Sequence, residues 1–154
     1  MLSKITCIYK YGMYPSDPYA DCFCLATRRL ARLLTQAYDR KLAPTGLKVT
    51  QFSVLVAVDK AGERGGRLAP LAKALDMDAS TLTRVLMPLV RDNLVALDEG
   101  EDRRERRARL TQAGRNLLAE AIPLWTQAQA ETLERLGAAG LQHVKAILAA
   151  MRRS

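Results

Sequence analysis

The chain is predicted to be mainly α-helical with one small β-hairpin, and three observations carry that expectation. Ala, Leu and Arg dominate while aromatic residues make up only 5% of the 154 residues, a balance of good helix formers rather than that of a β-sandwich. Apolar residues recur at three- and four-residue steps along most of the chain, the period of helices with one buried face. The exception is a pair of short apolar runs flanking the polar stretch DEGEDRRERR, which read as two strands and the tip between them. A chain of this length fits a single domain with a real core.

Residues 1–16 have no apolar period and end in Tyr14-Pro15-Ser16, so they read as a loose arm in which Met13 is an alternative start. Asp17-Pro18 then signals a helix start, because the carboxylate accepts orphan backbone N–H groups and proline needs no donor at the first helical position. That helix is expected to reach about Leu42, with Phe23, Ala26, Leu30, Leu33, Leu34 and Ala37 on one stripe and Pro44, Thr45 and Gly46 ending it. Thr50 is expected to cap a short helix carrying Phe52, Leu55, Val56 and Val58, which Gly62 stops. After the turn GERGG, a further apolar stretch splits at Asp76-Met77-Asp78 into helices near 68–75 and 79–91. Leu94 to Leu97 and Arg107 to Leu110 are the two strands. Thr111 is expected to cap a helix carrying Leu117, Leu118, Ala121, Leu124 and Trp125, in which Pro123 disturbs the hydrogen bonding. Gly137 and Gly140 set off a last helix ending at Arg152 and Arg153.

Twenty-four Lys and Arg against sixteen Asp and Glu give a formal charge of +8, which suits a polyanion, an anionic membrane surface or an acidic protein. No apolar run reaches the roughly 18 residues that span a bilayer. The first residues are too broken by Lys4, Lys10 and tyrosines to be a signal peptide, so a cytoplasmic location is expected. The three cysteines lack zinc-finger spacing and His143 is the only histidine. With no Gly-rich phosphate loop either, no catalytic residue, metal or cofactor is expected and an enzyme is excluded.

A short helix, a tight turn and a second helix can brace that second helix against duplex DNA if it presents small polar and basic groups. In residues 79–91, Leu82, Leu86, Leu89 and Val90 lie at helical spacing for a core, which leaves Ser80, Thr81, Thr83 and Arg84 outside or at the border. Short side chains at this helix start allow close approach to phosphate, and Arg84 has the reach for a guanine edge. The hairpin tip interleaves Arg103, Arg104, Arg106 and Arg107 with Glu99, Glu101, Asp102 and Glu105, so it is nearly neutral overall and local geometry decides what it touches. Arg103 or Arg104 suits a narrow minor groove, with Asp102 orienting a neighbouring arginine. The alternative is a winged-helix module that binds protein without reading DNA.

The stretches LKVTQFSVL, LAPLAKALDMDASTLTRVLMPLVRDNLV and EDRRERRARLTQAGR together resemble the MarR family over roughly residues 22–150. The resemblance implies a winged helix-turn-helix with N- and C-terminal helices forming a dimerisation region: a single domain over 17–154, its lobe at 47–110 and its dimerisation helices at 17–46 and 111–154. It implies a homodimeric transcription regulator on a pseudo-palindromic double-stranded-DNA operator, a repressor released by a small phenolic ligand or by thiol oxidation. By position it places Ser80, Thr81, Thr83 and Arg84 on the recognition helix and Asp102, Arg103 and Arg104 on the wing.

The segment CFCLATRRLARLLTQAYDR resembles the peroxide-sensing branch of that family, with Cys24 at the reactive position and Tyr38 at that of a supporting tyrosine. Two further tyrosine positions of that pattern hold Arg28 and Val49. Arg28, four residues from Cys24, favours its thiolate, whereas Cys22 has Ala26 there and gains no such help. Residues two apart on a helix point about 200° apart, which disfavours a Cys22–Cys24 disulfide.

Overall fold

The computed structural model describes residues 22–99 and 106–152. The arm at 1–16, the Asp17-Pro18 signal and the hairpin tip with Asp102, Arg103 and Arg104 lie outside the described residues. Contacts divide the chain into two compact units, residues 1–37 and 38–154.

Helix α1 (Phe23–Leu42) starts in the first unit and ends in the second. Cys22 is not helical and occupies the cap position: its carbonyl accepts the Ala26 N–H and its thiol the Leu25 N–H at 3.4 Å. The apolar stripe expected on this helix is present but uncovered, with Phe23 and Leu33 each 64% exposed.

The second unit takes in the end of α1 and everything after it. A single 3₁₀ turn, Ala43–Thr45, closes α1, and Gly46 follows at φ 73°, the left-handed conformation that favours glycine. Helix α2 (Val49–Lys60) is capped at Lys48, one residue before it starts, and not at Thr50. The reason is local: Gln51 Oε1 accepts the Lys48 N–H at 2.9 Å and Asp39 Oδ1 accepts the Val49 N–H at 2.7 Å. The turn GERGG leads into a strand that periodicity did not indicate, β1 (Gly66–Arg67). Helices α3 (Leu68–Ala74) and α4 (Ala79–Arg91), then strands β2 (Val95–Glu99) and β3 (Arg106–Leu110), fall within two residues of expectation.

The sheet order is β1-β3-β2, all antiparallel, with Val95 opposite Leu110 and Gly66 opposite Ala108. Gly65, at φ 70°, makes the turn into β1, and a Cβ there would meet the Ala108 carbonyl oxygen at 2.9 Å. Helix α5 (Gln112–Met151) is capped by Thr111, whose Oγ1 accepts the Gly114 N–H at 3.0 Å and donates to the Asn93 carbonyl at 2.7 Å. It runs helically through Pro123, whose missing N–H leaves the Ala119 carbonyl without its usual partner. The break falls instead at Gly137, at φ 70° and ψ 162°, while Gly140 is helical.

The core joins α2, α4, the sheet and the first half of α5. Val54, Leu55, Val58, Leu82, Leu86, Leu89, Val95 and Ala121 are at most 1% exposed; each large aliphatic side chain among them contributes about 1.5–3 kcal/mol of hydrophobic stabilisation. Trp125 stacks on Phe52 with ring centroids 5.8 Å apart and 19° between the planes, so this tryptophan is a core anchor.

Candidate nucleic-acid interface

The recognition segment owes its position to α4's two faces. Leu82, Leu86 and Leu89 are fully buried on one side, which fixes the helix in rotation and turns Ser80, Thr83, Arg84, Met87 and Arg91 outward. Pro88 lies inside the helix and cannot donate to the Arg84 carbonyl, so the hydrogen-bond ladder is interrupted in the last turns.

The helix start is set by Asp78, the cap residue. Its Oδ1 accepts the Thr81 N–H at 2.7 Å and the Ser80 hydroxyl at 2.6 Å, and its Oδ2 accepts the Thr81 hydroxyl at 2.9 Å. The Ser80 hydroxyl, then the Thr81 N–H and hydroxyl, hold the Asp78 carboxyl at about 2, below its ordinary 3.8. Asp78 thus stays ionised at the positive end of the helix.

Of the residues expected at the interface, Ser80 and Thr83 are exposed and Thr81 is half-buried. The Thr83 hydroxyl donates back to the Ala79 carbonyl at 2.8 Å, the bond that serine and threonine commonly make inside helices. Arg84 is exposed, and no hydrogen bond or ion pair holds its guanidinium among the described residues.

The turn before α4 contains Asp76 at φ 51°, a left-handed position that aspartate tolerates better than most residues. Its carboxylate receives the Arg152 guanidinium in a two-pronged ion pair, Nε to Oδ1 at 3.1 Å and Nη2 to Oδ2. The hydrogen bond with Arg152 holds the Asp76 carboxyl below its ordinary value, and Asp76 raises Arg152 in turn. This contact joins residues far apart in sequence, and no local pattern announces it. On the wing, Arg109 Nε donates to Asp98 Oδ2 at 2.5 Å across the β2–β3 ladder, and Arg107 Nη1 donates to the Gly65 carbonyl at 3.4 Å.

The thiols separate as follows. Cys24 and Arg28 are both exposed, one helical turn apart on α1. Cys22 is half-buried at the helix start, where its sulfur accepts a backbone N–H. As the cap residue, Cys22 places its sulfur beside the orphan backbone donors of α1. Because Cys22 precedes the first helical residue, the helix-spacing argument against a Cys22–Cys24 bond does not apply to it. The Tyr38 hydroxyl donates to Gln129 Oε1 at 2.5 Å, tying the end of α1 to α5. A cavity of about 370 Å³, lined by Phe52, Val56, Ala57, Leu71, Leu75 and Trp125 with Lys60 at its wall, lies among α2, α3 and α5.

A helical pair that locks a recognition helix over a core, followed by a two-stranded wing, defines a winged helix-turn-helix. Neither the family models nor the curated proteins contain a match to the chain. Solved structures do match. The M. tuberculosis transcriptional regulator MosR in complex with DNA is 39% identical, over 86% of this chain and 97% of that one, with a TM-score of 0.77. A second MosR structure is 37% identical, over 88% and 98%, with a TM-score of 0.76. A MarR-family regulator from Rhodococcus sp. RHA1 shares the fold at 23% identity, over 86% and 93%, with a TM-score of 0.72. The chain belongs to the MarR family of winged helix-turn-helix transcription regulators.

Proposed function

We propose that the protein is a homodimeric cytoplasmic repressor that binds a pseudo-palindromic double-stranded-DNA operator, with residues 47–110 as its DNA-binding lobe and the helices of 17–46 and 111–154 as its dimerisation region. The observation that carries this reading is the outward face of α4. Ser80, Thr83 and an Arg84 with no partner among the described residues stand on a helix whose opposite side is fully buried, in a chain 39% identical to a regulator crystallised on DNA. Thr81 acts mainly by shaping the helix start, and on the wing Arg103 or Arg104 enters the neighbouring minor groove while Asp102 orients a neighbouring arginine. Across the second copy, the dimer covers apolar side chains that one chain leaves exposed: Phe23 and Leu33 on α1, and Leu136, Ile147, Leu148 and Met151 near the end of α5.

Release has two routes with structural support. The apolar cavity beside the Phe52–Trp125 stack, with the Lys60 ammonium at its wall, suits a phenolic or other aromatic anion. The exposed Cys24 beside Arg28 suits attack of a thiolate on an organic peroxide, which yields a sulfenic acid and the alcohol, with Cys22 at the helix start as a second, nearby thiol. Binding of the full-length protein to its upstream intergenic DNA, with and without cumene hydroperoxide or salicylate, tests the reading. Specific binding lost with one of the two agents supports it, and absence of sequence preference at moderate salt rejects it in favour of a protein-binding module.

A further inference from the structure

The outer face of α4 is poor in hydrogen-bond donors. A hydroxyl has one proton to give, and those of Ser80, Thr81 and Thr83 go to Asp78 Oδ1, Asp78 Oδ2 and the Ala79 carbonyl. Asp78, ionised down to about pH 2, has no proton to offer. Arg91, at the far end, has its Nε on Asp92 Oδ1 at 3.3 Å. Arg84 is left as the one uncommitted side-chain donor among the described residues of the first two turns, and lone pairs are what the hydroxyls still present.

One large apolar side chain shares this face. Met87 is 47% exposed, and no other large hydrophobic residue of α4 is exposed. Helical geometry puts Ser80, Arg84, Met87 and Arg91 within about 60° of arc, and Arg84 and Met87 about 4.5 Å apart along the axis. Base pairs stack about 3.4 Å apart, so the two residues address neighbouring pairs. The thioether is polarisable and turns about three bonds, which suits contact with a methyl group in a groove. In the major groove the only apolar group a base pair presents is the thymine C5-methyl.

On the basis of the DNA-binding reading above, we infer that Met87 is a specificity-determining residue that contacts a thymine C5-methyl one or two base pairs from a guanine read by Arg84. Sequence choice by α4 then rests on one arginine and one methionine, while the hydroxyls serve as acceptors and as caps of the helix.

The test replaces thymine by deoxyuridine, one position at a time, in an operator duplex selected from a random library, and measures affinity by fluorescence anisotropy with the full-length protein. Removing a methyl from the contact is expected to weaken binding about fourfold in each half-site at one position. The Met87→Ala protein is expected to bind thymine and deoxyuridine operators equally at that position, and Met87→Leu to keep the preference. Met87 is exposed, so both variants should fold, and circular dichroism checks this. The inference is overturned if no position discriminates thymine from deoxyuridine while specific binding persists, or if Met87→Ala keeps the discrimination. Loss of all specific binding by the wild-type protein overturns the DNA-binding reading along with it.

Discussion

Asp78 Oδ1 and the Thr81 backbone N–H are 2.7 Å apart, and this one bond sets where the recognition helix starts. The same carboxylate takes two hydroxyl protons, so cap and interface chemistry are coupled. A carboxyl held at about 2 in the folded chain and near 3.8 when free stabilises the fold above pH 4, and that contribution is lost as pH falls through about 2. Asp78→Asn is expected to keep the cap at neutral pH and to weaken the loss of stability between pH 4 and 2. Asp78→Ala is expected to lower Tm by about 3 °C at pH 7. Thermal denaturation followed by circular dichroism from pH 2 to 7 distinguishes the two.

Gly114 joins α5 to the end of β2's approach. A Cβ at this position would fall well inside contact distance of the Leu94 carbonyl oxygen, which is backbone and cannot swing away. The same carbonyl accepts the Thr111 N–H at 3.1 Å, so retreat would break a cap. Gly114→Ala is expected to cost about 3 kcal/mol or more, read as a fall in the urea midpoint with an unchanged slope.

Substitutions in the wing and in α4 are expected to separate affinity from sequence choice. Arg103→Ala and Arg104→Ala are each expected to flatten the dependence of log K on log salt by about 0.9 for every phosphate contact removed. Sequence preference is expected to survive. Arg84→Ala should do the reverse, reducing the ratio of specific to non-specific affinity about tenfold or more. Titrations at four salt concentrations on specific and scrambled duplexes read both quantities.

For the thiols, Cys24→Ser is expected to abolish release of DNA by organic peroxide, and Cys22→Ser to leave it. Equal release in both single variants contradicts a sensing role for Cys24. Mass spectrometry of the oxidised wild type shows whether the second partner is Cys22, another subunit or a small thiol.

The helix-turn-helix was legible because Leu82, Leu86 and Leu89 mark a helical face and Asp76-Met77-Asp78 marks the turn, both local signals. The cap of α2 was misplaced because Lys48 has no capping side chain of its own: Gln51 and Asp39 supply the bonds. Strand β1 is two residues long and exists because β3 pairs with it, a tertiary cause with no period to read. In the candidate site, Arg84 and the hydroxyls were visible as types at positions. That all three hydroxyl protons are already spent, and that Arg152 sits on Asp76, depends on packing that spacing does not encode.

We propose that the outward face of α4 reads DNA sequence. The direct measurement is anisotropy of the full-length protein on its upstream intergenic duplex and on a scrambled duplex of equal length, across a salt series. Affinity is expected to fall as salt rises while the preference for the intergenic duplex persists, and Arg84→Ala is expected to remove most of that preference. Equal affinity for both duplexes at every salt concentration would contradict it.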